Sequence, residues 1–307
     1  MKKVPCLITS YILLLILVLS NSNFIFGQSI AFTFDDGPKI EDGAHLKPTE
    51  RNTLLLQQLK EFGVKSALFI TLRDTHDSGL VLARKWGEEG HMIGNHTISH
   101  PFFCNSKVTL QSFEQELLGC DSVIRKMPGY SKRFRFPYLN EGNTKAKRDG
   151  FRLFMKSIGY KPAPVSVDAS DWYYNSRLLS RLRDNPAFNI EPFRKAYLNH
   201  LWNRACYYDS LSRQVLGRSV RHILLLHHNT INAMFLGDVI RMFKEKGWKI
   251  IDAESAFKDP VYKMEPKILP AGQSIIWGLA KEKKFKGLRY PGEDDIYEKP
   301  ILDALGL

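Results

Sequence analysis

Two clusters in this chain have the residue types and spacing for metal-assisted proton chemistry. Thr33-Phe34-Asp35-Asp36-Gly37-Pro38 sets two adjacent carboxylates at the end of an apolar run, immediately before a Gly-Pro turn. Crowded carboxylates repel and desolvation adds to the cost, so such a pair calls for a cation or a shared proton. The plain alternative is an Asx-type turn with both side chains in water. His96-Thr97-Ile98-Ser99-His100, closed by Pro101, tips the balance. A spacing of four puts both imidazoles on one side of a helical turn, within reach of one ion. Two histidines and one carboxylate leave coordination positions for water, which suits a catalytic metal better than a structural one. Nitrogen and oxygen donors favour Zn²⁺, with Co²⁺, Ni²⁺ and Mn²⁺ as alternatives.

These clusters must be positioned by a regular frame, and the sequence supplies one. Short β-rich runs at 29–34, 66–71, 91–95, 133–136, 164–167, 222–226 and 248–251 alternate with helical stretches. The helix predicted over 53–62 puts Leu54, Leu55, Leu59 and Phe62 on nearly one face, and 231–246 does the same with Met234, Phe235, Ile240 and Phe243. Gly63 and Gly247 follow as stop signals. Seven strands joined by helices predict an α/β fold with a parallel sheet, either open and doubly wound or closed into a barrel. The chemical residues fall at the C-terminal ends of predicted strands, the rim where parallel barrels assemble their sites.

At these residues the chain resembles the polysaccharide deacetylase family, the metal-dependent carbohydrate esterases related to nodulation, chitin and peptidoglycan deacetylases. The resemblance runs from about Ile30 to Tyr262 and rests on five motifs in the family's order. The TFDDGP segment is similar to the first, which implies Asp35 as general base and Asp36 as metal ligand. His96 and His100 match the second and complete the implied ligand set. Arg135-Phe136-Pro137-Tyr138 resembles the third, in which the arginine orients the base and the tyrosine main-chain N–H helps bind the oxyanion, with Pro137 at the substrate. Asp168-Ala169-Ser170-Asp171-Trp172 is similar to the fourth, in which Asp171 tunes the catalytic histidine and Trp172 walls the acetyl pocket. Leu225-Leu226-His227 resembles the fifth, with Leu225 lining that pocket and His227 as the acid. The fifth motif usually continues with an acidic residue, whereas here His228 and Asn229 follow, which leaves His228 as a second candidate for the acid.

The fold so implied is a distorted, incomplete (β/α)7 barrel of parallel strands. The implied reaction removes acetyl groups from N-acetylated sugars of a peptidoglycan- or chitin-like polymer, releasing acetate and a free amine. An O-acetyl esterase on a xylan-like polymer and a non-catalytic glycan-binding protein on the same scaffold are the alternatives. His45, His76, His91, His200 and His222 match no motif and are expected to be structural or at the surface. Trp202, Tyr207 and Tyr208 could stack on sugar rings, although helix-core packing is the stronger expectation.

Length and composition agree with an ordinary globular protein: 307 residues, 44% hydrophobic and 25% charged. Lys2 and Lys3, an apolar stretch from Leu7 to Leu19 and a polar segment before Gly27 read as a signal peptide over 1–27. The apolar stretch falls short of the about 20 residues that span a bilayer, so membrane attachment is expected only if the segment is retained. An exported location follows, periplasmic, cell-envelope or extracellular. Three cysteines would remain, Cys104, Cys120 and Cys206, an odd number that rules out a disulfide framework as the main staple. The formal charge of +12 is concentrated between Arg125 and Arg221, with 20 Lys or Arg against 7 Asp or Glu. For an exported protein this does not point to nucleic acid; a solvated basic surface is at least as good a reading. The catalytic domain is expected over 28–262 with a long insertion at about 173–221. The extension 263–307 follows the last predicted strand.

Overall fold

A computed structural model describes residues 27–40 and 45–307; the leader expected over 1–27 lies, apart from Gly27, outside them. The first apolar run becomes β1 (Ser29–Asp35), buried along its whole length. Such continuous burial belongs to a parallel sheet covered on both faces. Then follow β2 (Ala67–Ile70), β3 (Met92–Asn95), β4 (Tyr130–Phe134), β5 (Asn140–Gly142), β6 (Lys161–Pro162), β7 (Arg221–His227), β8 (Lys249–Ile250) and β9 (Ala271–Gly272). Seven of them form one parallel sheet in the order β6-β4-β3-β2-β1-β7, with β8 on the lower half of β1.

One segment decides between open sheet and barrel. Ala163 N–H donates to the Phe134 carbonyl on β4 at 2.8 Å, and four residues on Val167 N–H donates to the Ile223 carbonyl on β7 at 3.0 Å. Residues 161–167 therefore join the two edges of the curled sheet, which is a distorted, incomplete (β/α)7 barrel. The strand expected at 164–167 shrinks to a single bridge, Val167 to Leu224. Pro162 and Pro164 each remove a donor from that segment, so a regular ladder cannot form there.

The barrel is wrapped by α1 (Pro48–Glu61), α2 (Ser78–Glu88), α3 (Leu110–Ile124), α4 (Lys145–Ser157), α5 (Asp171–Asp184), α6 (Glu191–Leu216) and α7 (Thr230–Glu245). The predicted helices at 53–62 and 231–246 are α1 and α7, each ending two residues before its glycine. The long connection is α5 and α6, which bury Tyr174, Leu178, Phe193, Tyr197, Leu201 and Tyr208. Trp202 packs on Phe243 and Trp248, and Tyr208 is buried, so both serve the core. Behind the third motif Phe103, Phe113, Phe134, Phe136 and Phe151 form a second core. Truncating any of these rings to Ala should cost about 3–5 kcal/mol. After a short α8 (Ala253–Ala256), the extension carries β9, α9 (Ile275–Glu282) and α10 (Asp295–Ala304). It packs α9 on α6 and buries Trp277 and Leu302. Cys104, Cys120 and Cys206 are free thiols.

Candidate active site

The C-terminal ends of β1, β3, β4 and β7 deliver Asp35 and Asp36, His96, Arg135 and His227 to one rim. Asp36 turns away from β1 with φ 61°, and its Oδ1 lies 3.4 Å from His96 Nε2 and 3.2 Å from His100 Nε2. The three side chains are buried, with ligand atoms within 4.8 Å of one another. The expected helical turn over 96–100 is not there. Thr97 and His100 have φ of 76° and 56°, and side-chain acceptors replace helical hydrogen bonds. Asn95 Oδ1 accepts from Thr97 N–H, and Thr97 Oγ1 accepts from His100 N–H, both at 3.0 Å. Short polar side chains compete with helix in this way, and here they still bring both rings to one point.

The protonation of these groups suits a cation. His96 Nδ1 sits 2.7 Å from the Arg135 carbonyl, so it carries the proton and Nε2 faces Asp36 with a lone pair. Burial, with His96 beside it, pushes His100 down to about 3, which keeps it neutral. Burial acts to raise Asp36, but the imidazoles of His96, His100 and His227, the last of them cationic, outweigh it and hold the carboxyl well below its usual value. Asp36 Oδ1 is buried with no hydrogen-bond partner among the described residues. Lone pairs directed at one point without a donor are costly unless a cation shares them, so Asp36, His96 and His100 fit a divalent metal.

Asp35 is held from the opposite side. Arg135, 1% exposed, donates from Nη1 to both Asp35 oxygens at 3.2 Å. Its Nη2 donates to Thr33 Oγ1 at 3.1 Å and its Nε to the Ala163 carbonyl at 2.5 Å. The guanidinium lies 4.4 Å over the Phe69 ring. Asp35 Oδ2 is 3.8 Å from His96 Nε2, which sets this carboxylate beside the ligand group.

Asp171 opens α5 and is fully buried. One of its oxygens lies 2.6 Å from His227 Nδ1, and the other accepts from His227 N–H at 2.9 Å. That second oxygen also takes donors from Asn229 Nδ2 at 3.0 Å and Asn232 Nδ2 at 2.7 Å. Burial acts to lower His227, but Asp171 overrides it and raises the imidazole to about 9. His228 is different: it is buried among Asn52 and Trp86, with Nε2 3.1 Å from Asn52 Oδ1. Burial and Arg51 push it down to about 3.

The remaining candidates surround this centre. Pro137 is buried, and Tyr138 is exposed with φ 56° and ψ 21°, its ring 4.5 Å from that of His100. Left-handed backbone at Tyr138 and at Leu139, with φ 49°, costs on the order of 1–2 kcal/mol each. Trp172 is 44% exposed, next to Asp171, while Leu225 is buried on β7 with its N–H on the Val167 carbonyl at 3.0 Å.

Three participants had no separate place in the sequence reading. Thr33 fastens Arg135 across the barrel, and Asn229 and Asn232 fasten Asp171. Asn229 is the N-cap of α7, its side chain accepting from Asn232 N–H. An Asn three residues before another at a helix start is a legible cap; its grip on Asp171 requires the fold. His91, His200 and His222 are buried and engaged with Ser66, Glu298 and Asp209, away from the ligand group.

A model of the polysaccharide deacetylase family matches residues 27–162. Over that span, somewhat under half of its length, the chain is similar to the polysaccharide deacetylase family. It is 26% identical over 239 residues to a peptidoglycan-N-acetylglucosamine deacetylase of Bacillus cereus, covering 75% of this chain and 68% of that one. A protein of the same description from Listeria monocytogenes is 28% identical over 150 residues, which are 48% of this chain and 28% of the relative's length. Two solved structures share the fold. A peptidoglycan N-acetylglucosamine deacetylase with a bound hydroxamate-type ligand aligns with TM-score 0.51 and 21% identity, over 76% of this chain and 90% of that one. A family 4 acetyl xylan esterase from Clostridium thermocellum with a cobalt ion aligns with TM-score 0.50 and 20% identity, over 75% and 90%. The family match and the relatives mark the chain as a hydrolase of the polysaccharide deacetylase type, and Asp36, His96 and His100 form a group able to hold a metal ion.

Proposed function

We propose that this chain deacetylates N-acetylglucosamine-type residues of a peptidoglycan-like polymer, with Zn²⁺ as the preferred ion and an exported site of action. The single observation that carries the reading is the convergence of Asp36, His96 and His100 between two buried carboxylate devices, Asp35 with Arg135 and Asp171 with His227. The descriptions of the relatives support the substrate class.

Asp36, His96 and His100 would hold the ion. When bound, a divalent cation there would polarise the acetyl carbonyl and lower the pKa of a water. Asp35, oriented by Arg135, is placed to accept a proton from an attacking water. Tyr138 N–H donates to the oxygen on which charge develops. His227, protonated because Asp171 raises its pKa, gives its proton to the departing amine. Without that proton the amine is a poor leaving group and the addition step reverses. Trp172 and Leu225 bound the acetyl group, and Pro137 supports the sugar side.

The reading is tested by acetate release from N-acetylglucosamine oligomers and purified peptidoglycan, set against acetylated xylan, with and without chelator. Chelator-sensitive release from the amide substrates is expected. Release from xylan alone would favour the ester-cleaving alternative, and glycan binding that survives chelation with no acetate released would favour a binding protein. Among the described residues no helix is long and apolar enough to cross a membrane.

A further inference from the structure

The C-terminal extension reaches the oxyanion loop. Beyond Arg135 the chain turns through left-handed backbone at Tyr138 and Leu139, a conformation that persists only where the surroundings over-determine it. Part of the restraint is local: Leu139 N–H donates to the Phe136 carbonyl at 3.0 Å. The other part comes from far along the sequence. β9 pairs antiparallel with β5, Gly272 opposite Asn140 and Ala271 opposite Gly142. Gln273 N–H then donates to the Leu139 carbonyl at 2.8 Å.

The approach is close enough to require glycine. Gly272 has φ 125°, and a Cβ there would lie 2.0 Å from the Leu139 carbonyl oxygen. β9 is itself tied down: Ile275 N–H donates to the Val165 carbonyl at 2.8 Å, and Gln273 Oε1 accepts from Gly292 N–H at 2.5 Å. On the way in, Arg148 and Arg152 of α4 bond the carbonyls of Ile268 and Pro266 at 3.2 and 3.1 Å. The extension is thus clamped between the exit of the third motif and the segment that closes the barrel.

We propose that Gly272 and Gln273 are positioning residues for deacetylation, holding the Leu139 carbonyl and through it the turn that aims the Tyr138 N–H. The inference rests on the reading of that N–H as the oxyanion donor. A displaced donor weakens the transition state more than the bound substrate, so kcat should fall while KM stays.

The test compares full-length Gly272→Ala with Gly287→Ala. Gly287 also has positive φ, at 76°, but nothing lies within 4 Å of an added Cβ, so its variant carries a positive-φ backbone penalty without touching the loop. With N-acetylglucosamine oligomers, Gly272→Ala should lose at least about tenfold in kcat, with KM within about twofold and bound metal unchanged, and Gly287→Ala should keep kcat within about twofold. Wild-type kcat in folded Gly272→Ala, or equal losses in both variants, would overturn the proposal. If Gly272→Ala fails to fold, Gln273→Ala removes only the anchor to Gly292; a kcat loss of at least about threefold at constant KM is then expected, and no loss overturns the proposal. Chelator-sensitive acetate release by the wild type upholds the reading of the site whatever the variants do, so the two failures are told apart.

Discussion

Asp171 holds His227 twice, with one carboxylate oxygen 2.6 Å from Nδ1 and the other on the main-chain N–H at 2.9 Å. A single side chain so fixes both the ring and the backbone that carries it. The same carboxylate raises His227 to about 9 against the opposing effect of burial, which keeps an acid available through neutral pH.

Replacing Asp171 by Asn leaves the shape and removes the charge. We expect kcat/KM to fall by roughly 100-fold or more, and the alkaline limb of its pH profile to move to lower pH. The ion pair should stabilise the fold fully below about pH 6.5 and lose that contribution as pH rises through the folded value. A profile with its alkaline limb unmoved would show that another group supplies the proton.

Arg135 is buried against Asp35, and breaking a buried pair strands the remaining charge. Arg135→Ala should destabilise the protein by about 3–5 kcal/mol in denaturant titration and abolish activity. Arg135→Lys should remain nearly inactive while recovering part of the stability, because an ammonium cannot serve Asp35, Thr33 and the Ala163 carbonyl in one plane. Full activity in the Lys variant would contradict the fork geometry.

The sequence left His227 and His228 as rivals, and their surroundings separate them. His228→Ala should lower the melting temperature, through a cavity beside Trp86 and the loss of one of the two partners of Asn52 Oδ1, yet keep the pH profile of the wild type. His227→Ala should cost roughly 100-fold or more in kcat, with a loss of melting temperature from the stranded Asp171 carboxylate as well. The reversed pattern would make His228 the acid.

How much of this was legible beforehand follows from the range of the interactions. The end-of-strand position of Asp35 and Asp36 and the pair His96 and His100 were visible because the signals are local. The path over 96–100 was misread as helix, since spacing alone cannot report that Asn95 and Thr97 capture the backbone N–H groups. The strand expected at 164–167 was overextended, although Pro162 and Pro164 stood in plain view. Gly272 against Leu139 and Asn232 against Asp171 join residues distant in sequence, so no periodicity could announce them.

Glu293 of the extension lies beside Arg204 and accepts from Tyr208 Oη at 3.2 Å. Burial raises it to about 8, with Asp168 and Glu298 adding repulsion against the pull of Arg204. Between about pH 4.3 and the folded value the native state binds the extra proton, so stability falls as pH rises across that interval. Glu293→Gln should therefore gain in melting temperature relative to the wild type on going from pH 5 to pH 9. A constant difference would mean that the carboxyl is ionised in the native protein throughout.

The most direct measurement is metal content and acetate release on N-acetylglucosamine oligomers, made on the same preparations of wild type and Asp36→Ala. We expect about one divalent ion per wild-type chain, lost together with activity in the variant and on chelation, and activity restored to the wild type by added Zn²⁺. Hydrolysis at full rate by Asp36→Ala, or by wild type in excess chelator, would contradict the assignment of Asp36, His96 and His100 as one metal centre.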